Sequence, residues 1–589
     1  MKSSDKPGIL LRLALAAALC LACLAPARAA GVPVSELKAA YRDGQIFLTW
    51  REEATPEGTT FNVYRHHQPI TEANLAKATK VGHHVERHSA RDWWQDPASF
   101  APDTPAAPPA GFRIQAGAAP LDPSGGLFVH TVTPQTAGAS YFAVISSSAT
   151  GVEDTTLVPG VNTLIEPVVG RVALAQPIWQ EDGPAPAPGS GKGKSLTFVL
   201  HGRGGGKTAG PGAQRVNYLA FGDAKQGWRE GLPFKFLVSI SDTTVRITPC
   251  DRHWAGRPVT ESPDRRDHCP AISSFWYGYN SRLYETTRTT KSVVPNYTEE
   301  QILWMMRWAQ AYLGTDPNRT YLTGGSMGGS GAISLAMHYP QHFAAVMATV
   351  PVVSFTTRGG GRGSLARLDC ACGPVDATTV NHEGVPLLEH MNGELQAARA
   401  KTDLPYLFVT HGRTDRSIPW ANNPPFYRAM NAARQGLSVY WNNEDHAGVA
   451  RACPDDVKAW TPLLERFALN RSFPVFTNCS DNKDPGDGDP ARGDIIGWMN
   501  RGLDWKDVVD TPTLYAITVI AAHPEIRYPV TVDLTLRRLQ QFKVRAGEVV
   551  KLSVGGQPPI PLRVDEKGLI TISNVRIESA EGTRIQLAR

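Results

Sequence analysis

Beyond its first 29 residues, the 589-residue chain has no apolar run able to span a bilayer. It also lacks a strong charge of either sign. The formal net charge is +5, and removing Lys2, Lys6, Arg12, Arg28 and Asp5 of the first 29 residues leaves +2. That balance argues against a nucleic-acid partner or an anionic membrane surface. Cysteine is scarce, with 8 in all, and Cys20 and Cys23 fall in the leading segment. The others are Cys250, Cys269, Cys370, Cys372, Cys453 and Cys479. Cys370-Ala371-Cys372 has poor zinc spacing and no His pair beside it, so neither a metal nor a cofactor is expected. Residues 30–180 show no repeat at the blade length of ~40–50 residues, which argues against a propeller.

What is present begins with a leader. Residues 1–29 combine basic residues, an apolar run and the small-residue end Ala27-Arg28-Ala29. This is the pattern of an export signal cut after Ala29, giving a secreted or periplasmic protein. A lipid anchor on Cys20 or Cys23 is the competing reading, weakened because Ala17 and Cys20 stand three residues before them rather than Leu. In an exported chain, six remaining cysteines allow up to three disulfides. Cys250–Cys269 is the favoured pair, since both lie in one Pro- and Arg-rich excursion.

The hydrophobic content of 42% and charged content of 20% describe a globular chain, and its length calls for two to four domains. Residues 30–175 read as alternating strands, with Trp50 on an early one and Tyr141 at the start of a late one. Residues 176–194 include GPAPAPGSGKGK and read as a linker. From 195 to 478 strands alternate with helical stretches, which predicts a mostly parallel sheet with crossover helices. Thr298 and Gln301 have the spacing of a capping box. Residues 355–400 are placed to cap a site. Residues 479–509 read as a linker whose acidic part, DNKDPGDGD, is either a solvated loop or a source of calcium ligands. Residues 510–589 return to short strands and predict a second small β-sandwich.

The chemistry is written at Gly324-Gly325-Ser326-Met327-Gly328, a G-x-S-x-G pattern between a β-forming run and a helix-forming run. A serine on such a strand–helix turn projects from a backbone too tight for side chains two residues to either side. Acyl transfer through it needs a base, an acid to orient the base, and donors for the oxyanion. Asp415 follows the strand-like LPYLFVTHG, and His446 follows LSVYW. Asp445 is a rival acid in an unfavourable position next to His446, and His411 is a rival base too near Asp415. Backbone N–H groups of Met327 and of Arg203, in His201-Gly202-Arg203-Gly204-Gly205-Gly206, are the candidate oxyanion donors. That loop lacks the Walker spacing of a phosphate cradle. His201, Trp276, Tyr277, Tyr279 and Trp420 line either a substrate pocket or the core.

HGRGGG, GGSMGG, HGRTDRSIP and DHAG together resemble the α/β-hydrolase superfamily, and within it extracellular esterases of the polyhydroxybutyrate depolymerase and feruloyl esterase type. The resemblance covers about 195–470. It implies an α/β-hydrolase catalytic domain with helices on both faces of its sheet. Residues 30–175, by their strand pattern and by Trp50 and Tyr141, resemble a fibronectin type III module on one side of it, and the C-terminal strands of 510–589 read as a β-sandwich on the other. The hydrolase resemblance implies a cofactor-independent carboxylic ester hydrolase with Ser326 as nucleophile, Asp415 as acid, His446 as base, and Met327 and Arg203 as donors. The implied substrate is an ester, on a polyester or a plant polymer. Gly325 and Ala447 stand where tannase-like esterases carry cysteines. β-domains on both sides depart from the usual depolymerase layout. A prolyl oligopeptidase-type peptidase and a non-catalytic glycan-binding or adhesion protein are the alternatives.

Overall fold

The computed structural model describes residues 33–92, 113–179 except 116, 185–203, 213–216, 234–254 except 252, 271–281 and 293–589, the last without 356–364, 366, 367, 369, 370 and 374. The leader expected at residues 1–29, Cys269, Cys370 and Gly204–Gly206 therefore lie outside the described residues. Among those described, no helix is long and apolar enough to cross a membrane.

A ten-stranded sheet forms the middle of the molecule. Its order runs Gly497–Met499, Leu437–Asn442, Tyr406–Gly412, Ala345–Thr349, Thr320–Gly325, Ser195–Leu200, Thr244–Pro249, Phe234–Ile240, Ala213–Val216, Ile178–Trp179. From Leu437–Asn442 to Thr244–Pro249 every neighbour is parallel. The pairings outside that block are antiparallel. The expectation of a mostly parallel sheet thus holds for the centre and misses the edges, whose strands include runs of only two and three residues. Such strands are too short for periodicity to register.

Alternation along the parallel strands divides the core. Leu322, Val346, Leu407, Val409 and Val439 face a cluster that includes the helices Tyr297–Trp308, Met327–His338 and Asn423–Ala432. Tyr321, Ala345, Tyr406, Phe408 and Tyr440 face another. That second cluster contains Trp460 and Leu464 of short helical turns, but also Val475, Leu534, Ile572 and Leu587 of C-terminal strands. The expected helix layer is here largely a β layer. Period-two burial makes both faces apolar, and a sheet can cover one as well as a helix can.

The C-terminal part builds two sheets. One orders Phe473–Thr477, Val530–Arg537 and Thr571–Ile577; the other has five strands from Leu503–Asp510 to Ile560–Arg563. Gly497–Met499 and Leu503–Asp510 fall in the stretch expected to be linker, and Phe473–Thr477 falls before it. Residues 33–170 form a three-stranded and a four-stranded sheet enclosing one apolar core, with Trp50 edge-on to Phe61 at 5.6 Å. A Cβ on Gly126 would fall 1.9 Å from the Trp50 indole, so only glycine fits beneath it. The described part of the Pro/Gly-rich stretch is docked rather than loose. The N–H groups of Gly189, Gly191 and Gly193 donate to the carbonyls of Tyr312, Leu313 and Gly314.

The capping-box expectation is displaced. The helix starts at Tyr297 with Asn296 as its cap. The Thr298 hydroxyl lies 2.6 Å from that of Ser274, so tertiary packing overrides the local pairing.

Candidate functional site

Thr320–Gly325 turns directly into the helix Met327–His338, and Ser326 sits between them at φ 58°, ψ −124°. That backbone is strained for a residue with a side chain. Its N–H donates to Thr349 O at 2.8 Å, and its carbonyl accepts both the N–H and the hydroxyl of Ser330 at 3.0 Å. The flanking glycines have steric causes. A Cβ on Gly324 would lie 2.4 Å from the Gly328 carbonyl, and one on Gly328 would lie 2.0 Å from Leu200 O. Gly331 lets the same helix close on Trp276, where a Cβ would come within 2.4 Å of the side chain.

Ser326 is half-buried, and its Oγ lies 2.9 Å from His446 Nε2. His446 Nδ1 lies 2.6 Å from Asp415 Oδ2. Asp415 Oδ1 accepts the N–H groups of Ser417 and Ile418 at 2.7 and 2.9 Å. The Asp415 side chain is fully enclosed while that of His446 is 30% exposed. Burial opposes ionisation of Asp415, but the His446 hydrogen bond and the Ile418 N–H outweigh it, and the carboxyl titrates below its ordinary range. This arrangement can draw a proton from a serine hydroxyl and hold the resulting imidazolium against a buried carboxylate.

The rivals go elsewhere. Asp445 is exposed and its Oδ1 accepts the N–H groups of Ala447 and Gly448, so it shapes a turn. His411 is buried against Trp420, with Nδ1 accepting the Gly412 N–H at 3.0 Å. Burial drives its protonation down to about 4, despite the pull of Asp415 and helped by His446.

Met327 opens its helix, where N–H groups lack intrahelical partners and the dipole is positive. The loop of His201, Gly202 and Arg203 lies alongside, with a Cβ on Gly202 reaching within 3.5 Å of Ser326 Cβ. His201 is a fixture of that loop. Its Nε2 accepts the Asp251 N–H at 2.8 Å, its Nδ1 lies 2.8 Å from Gly202 O, and its ring meets Trp276 edge-on at 4.9 Å. Trp276, Tyr277, Tyr279 and Trp420 are all buried in the main core. Trp276 Nε1 donates to His201 O at 3.2 Å, Tyr279 stacks on Tyr297, and Trp420 Nε1 donates to Pro485 O. These aromatics pack the scaffold rather than face a ligand.

A small pocket beside the helix after Ser326 is lined by Ser330, Ile333, Met337, His338 and His390, among others. Here a group that the sequence did not single out comes together. Glu299, His338 and His390 bring potential ligand atoms within 4.8 Å of one another. Both His338 nitrogens are engaged, Nδ1 with Glu299 Oε1 at 2.6 Å and Nε2 with His390 O at 2.9 Å. The two imidazoles stack at 3.8 Å, which directs their ring planes past one another rather than toward a common ion. The set reads as a buried ion pair. It joins residues that lie far apart in the chain, so no local motif announces it.

Cys453 and Cys479 are buried free thiols, which reduces the three disulfides the cysteine count allows. The favoured Cys250–Cys269 pair involves a residue outside those described. Just beyond the acidic stretch 481–489, the Arg413 guanidinium donates to the carbonyls of Pro490, Arg492 and Asp494.

The family described as "Putative esterase" matches residues 267–455, the span that holds Ser326, Asp415 and His446. No curated protein matches the chain. Among solved structures, an S-formylglutathione hydrolase from Agrobacterium tumefaciens is 16% identical over 44% of this chain and 80% of its own, with a TM-score of 0.29. Butyrate-bound esterase 2 of Thermogutta terrifontis is 16% identical over 47% of this chain and 82% of its own, with a TM-score of 0.25. Superpositions this partial carry no argument about the chemistry. On the family match, with the serine turn inside it, the chain is a carboxylic ester hydrolase of α/β-hydrolase fold.

Proposed function

We propose that the chain is an exported serine esterase that cleaves esters carried on a polymer, a polyester or a plant polymer, through an acyl-Ser326 intermediate. His446 Nε2 takes the Ser326 proton as Oγ attacks the ester carbonyl. Asp415 holds Nδ1–H and stabilises the imidazolium. The oxyanion rests on the N–H groups of Met327 and Arg203. Collapse of the tetrahedral intermediate expels the alcohol, which receives the proton from His446. A water, deprotonated by the same imidazole, then hydrolyses the acyl-serine and releases the acid.

The observation that carries this reading is the continuous hydrogen-bonded line from Ser326 Oγ to His446 at 2.9 Å and from His446 to Asp415 at 2.6 Å. The leader at residues 1–29 supports export. The paired sheets of residues 33–170 are proposed as a fibronectin type III-like module and the C-terminal sheets as a second β-sandwich, leaving the polymer contact to the catalytic domain or the N-terminal module.

The test compares the purified chain with Ser326→Ala on p-nitrophenyl esters of increasing acyl length, on a peptidyl nitroanilide and on polyester and feruloylated polysaccharide. Loss of ester turnover in Ser326→Ala, with the nitroanilide untouched, supports the esterase. Amide turnover that depends on Ser326 would move the assignment to a peptidase. Equal ester turnover in both proteins would remove Ser326 from the reaction.

A further inference from the structure

The acidic loop 484–494 spends its carboxylates on itself. Asp484 Oδ1 accepts the Gly486 N–H, Asp487 Oδ1 that of Asp489, Asp489 Oδ1 that of Ala491, and Asp494 Oδ2 that of Asp484. Toward its surroundings the loop presents backbone carbonyls, which reach both segments that carry the Asp415–His446 pair, and the charges of Asp494, Asp484 and Asp489, which favour the Arg413 cation. Arg413, two residues before Asp415 and 3% exposed, donates to the carbonyls of Pro490, Arg492 and Asp494. The Trp441 indole, on the strand leading to His446, donates to the same Asp494 carbonyl at 2.8 Å. Trp420, beyond the acid, donates to Pro485 O at 3.2 Å. Arg413 also donates its own N–H to Asn442 O at 2.9 Å, closing the acid loop onto the end of the His446 strand.

We propose that Arg413 and the 484–494 loop form a positioning clamp that fixes the Asp415 loop against the His446 strand. This rests on the reading of Asp415 and His446 as acid and base. A guanidinium suits the task because its planar fork of five N–H donors can hold several carbonyls in one fixed geometry, which a lysine ammonium cannot reproduce. Burial couples the two halves: without the loop the guanidinium would lose both its hydrogen-bond acceptors and the nearby carboxylates, and without the guanidinium those carbonyls lose their donor. Asp415 sits on a loop rather than in a strand, so its aim depends on such ties. A misplacement of about 1 Å from outside the reacting groups can lower a rate by about a hundredfold.

The experiment uses the full chain with Arg413→Met, Arg413→Lys and Gly493→Ala, and Ser326→Ala as the reference. Gly493 is at φ +77°, and a Cβ there would lie 2.4 Å from Gly486 N, so this change deforms the loop without touching Arg413. Soluble-ester kcat and KM and the rate of fluorophosphonate labelling of Ser326 are read well below each variant's melting temperature. The expected result is a kcat lowered about a hundredfold in Arg413→Met, a smaller loss in Arg413→Lys, a loss of the same kind in Gly493→Ala, and slower labelling in step, with KM within about twofold. If Arg413→Met does not fold, the other two decide. Wild-type kcat and labelling in folded variants, or a loss confined to KM, would overturn the clamp. Unchanged turnover in Ser326→Ala would instead overturn the reading on which it rests.

Discussion

Asp415 divides its two oxygens between His446 and its own loop: Oδ2 meets His446 Nδ1 at 2.6 Å, and Oδ1 accepts the N–H groups of Ser417 and Ile418. This division determines what Asp415→Asn does. An asparagine must keep its oxygen toward the two N–H donors, so its amide NH2 turns to His446. Nδ1 then becomes an acceptor, the proton moves to Nε2, and the imidazole can no longer take the Ser326 proton. The expected outcome is a kcat lowered by about 10⁴ with KM and melting temperature near wild type, as for the wrong tautomer in other serine triads. Steady-state kinetics on a p-nitrophenyl ester check it, and a loss under tenfold would mean that Asp415 does not set the tautomer.

Two glycines on either side of Ser326 should respond differently to one methyl group. A Cβ on Gly325 meets nothing nearer than Thr349 O at 3.9 Å, whereas one on Gly328 would stand 2.0 Å from Leu200 O and 2.9 Å from His201 O. Neither glycine has a left-handed backbone, so the contrast is one of space. Gly325→Ala is expected to melt within a few degrees of wild type. Gly328→Ala must push the helix off the Ser195–Leu200 strand and is expected to destabilise by about 2 kcal/mol or more while abolishing turnover. Thermal melts of the pair, read with activity, test this directly.

These particulars show why the region around Ser326 was legible in the sequence. Gly324 and Gly328 are there because backbone atoms leave no room, and that requirement is visible as letters. Asp415 and His446 were legible from chain order and from their places at strand ends. The clamp was not, because Asp494, Pro490 and Arg492 act through carbonyls that every residue has. A stretch legible only as acidic, either a solvated loop or a source of calcium ligands, runs into a turn whose carbonyls hold a guanidinium from about 80 residues away. The aromatics were ambiguous for a related reason: Trp276 and Trp420 suit a pocket or a core equally well, and only their burial decides. The sheet edges Ile178–Trp179 and Gly497–Met499 are too short to carry a pattern.

Stability should fall on the acid side of neutrality. His411 and His390 are pushed down to about 4 and about 3, His411 chiefly by burial, His390 by burial and by the neighbouring His338 and His382. In an unfolded chain both would bind their protons near 6.5. Between 6.5 and about 3–4 the unfolded state therefore holds more protons. The stability they contribute is complete above 6.5 and is lost as pH falls through that window. For His411, which is fully enclosed, the span corresponds to roughly 3 kcal/mol. Urea midpoints between pH 7.5 and 4.5 should drop in the wild type and drop less steeply in His411→Gln. Parallel slopes would mean that His411 is not a source of the acid sensitivity.

The last prediction concerns where the folding unit ends. Tyr406 and Phe408, on the strand leading to Asp415, pack in the same cluster as Val475, Leu534, Ile572 and Leu587. Polar ties fix this contact. Buried Arg537 donates to Asp403 Oδ1 at 2.9 Å and to the carbonyls of Ala433 and Arg434, while the Arg538 N–H donates to Asp403 Oδ2. Asp403 and Arg434 flank the Tyr406 and Leu437 strands, so the C-terminal sheets grip the two strands that lead to Asp415 and His446. A chain ending at 499 would keep Trp460, Leu464 and Val475 on that face of the central sheet but lose Leu534, Ile572 and Leu587, leaving a contiguous apolar surface in water. It is expected to aggregate or to lose its near-ultraviolet circular dichroism and all ester turnover, although Ser326, Asp415 and His446 are retained. Recovery of a soluble, active 1–499 chain would show that the central sheet folds without this cover. In that case the C-terminal sheets would be an appended domain rather than a layer of the catalytic one.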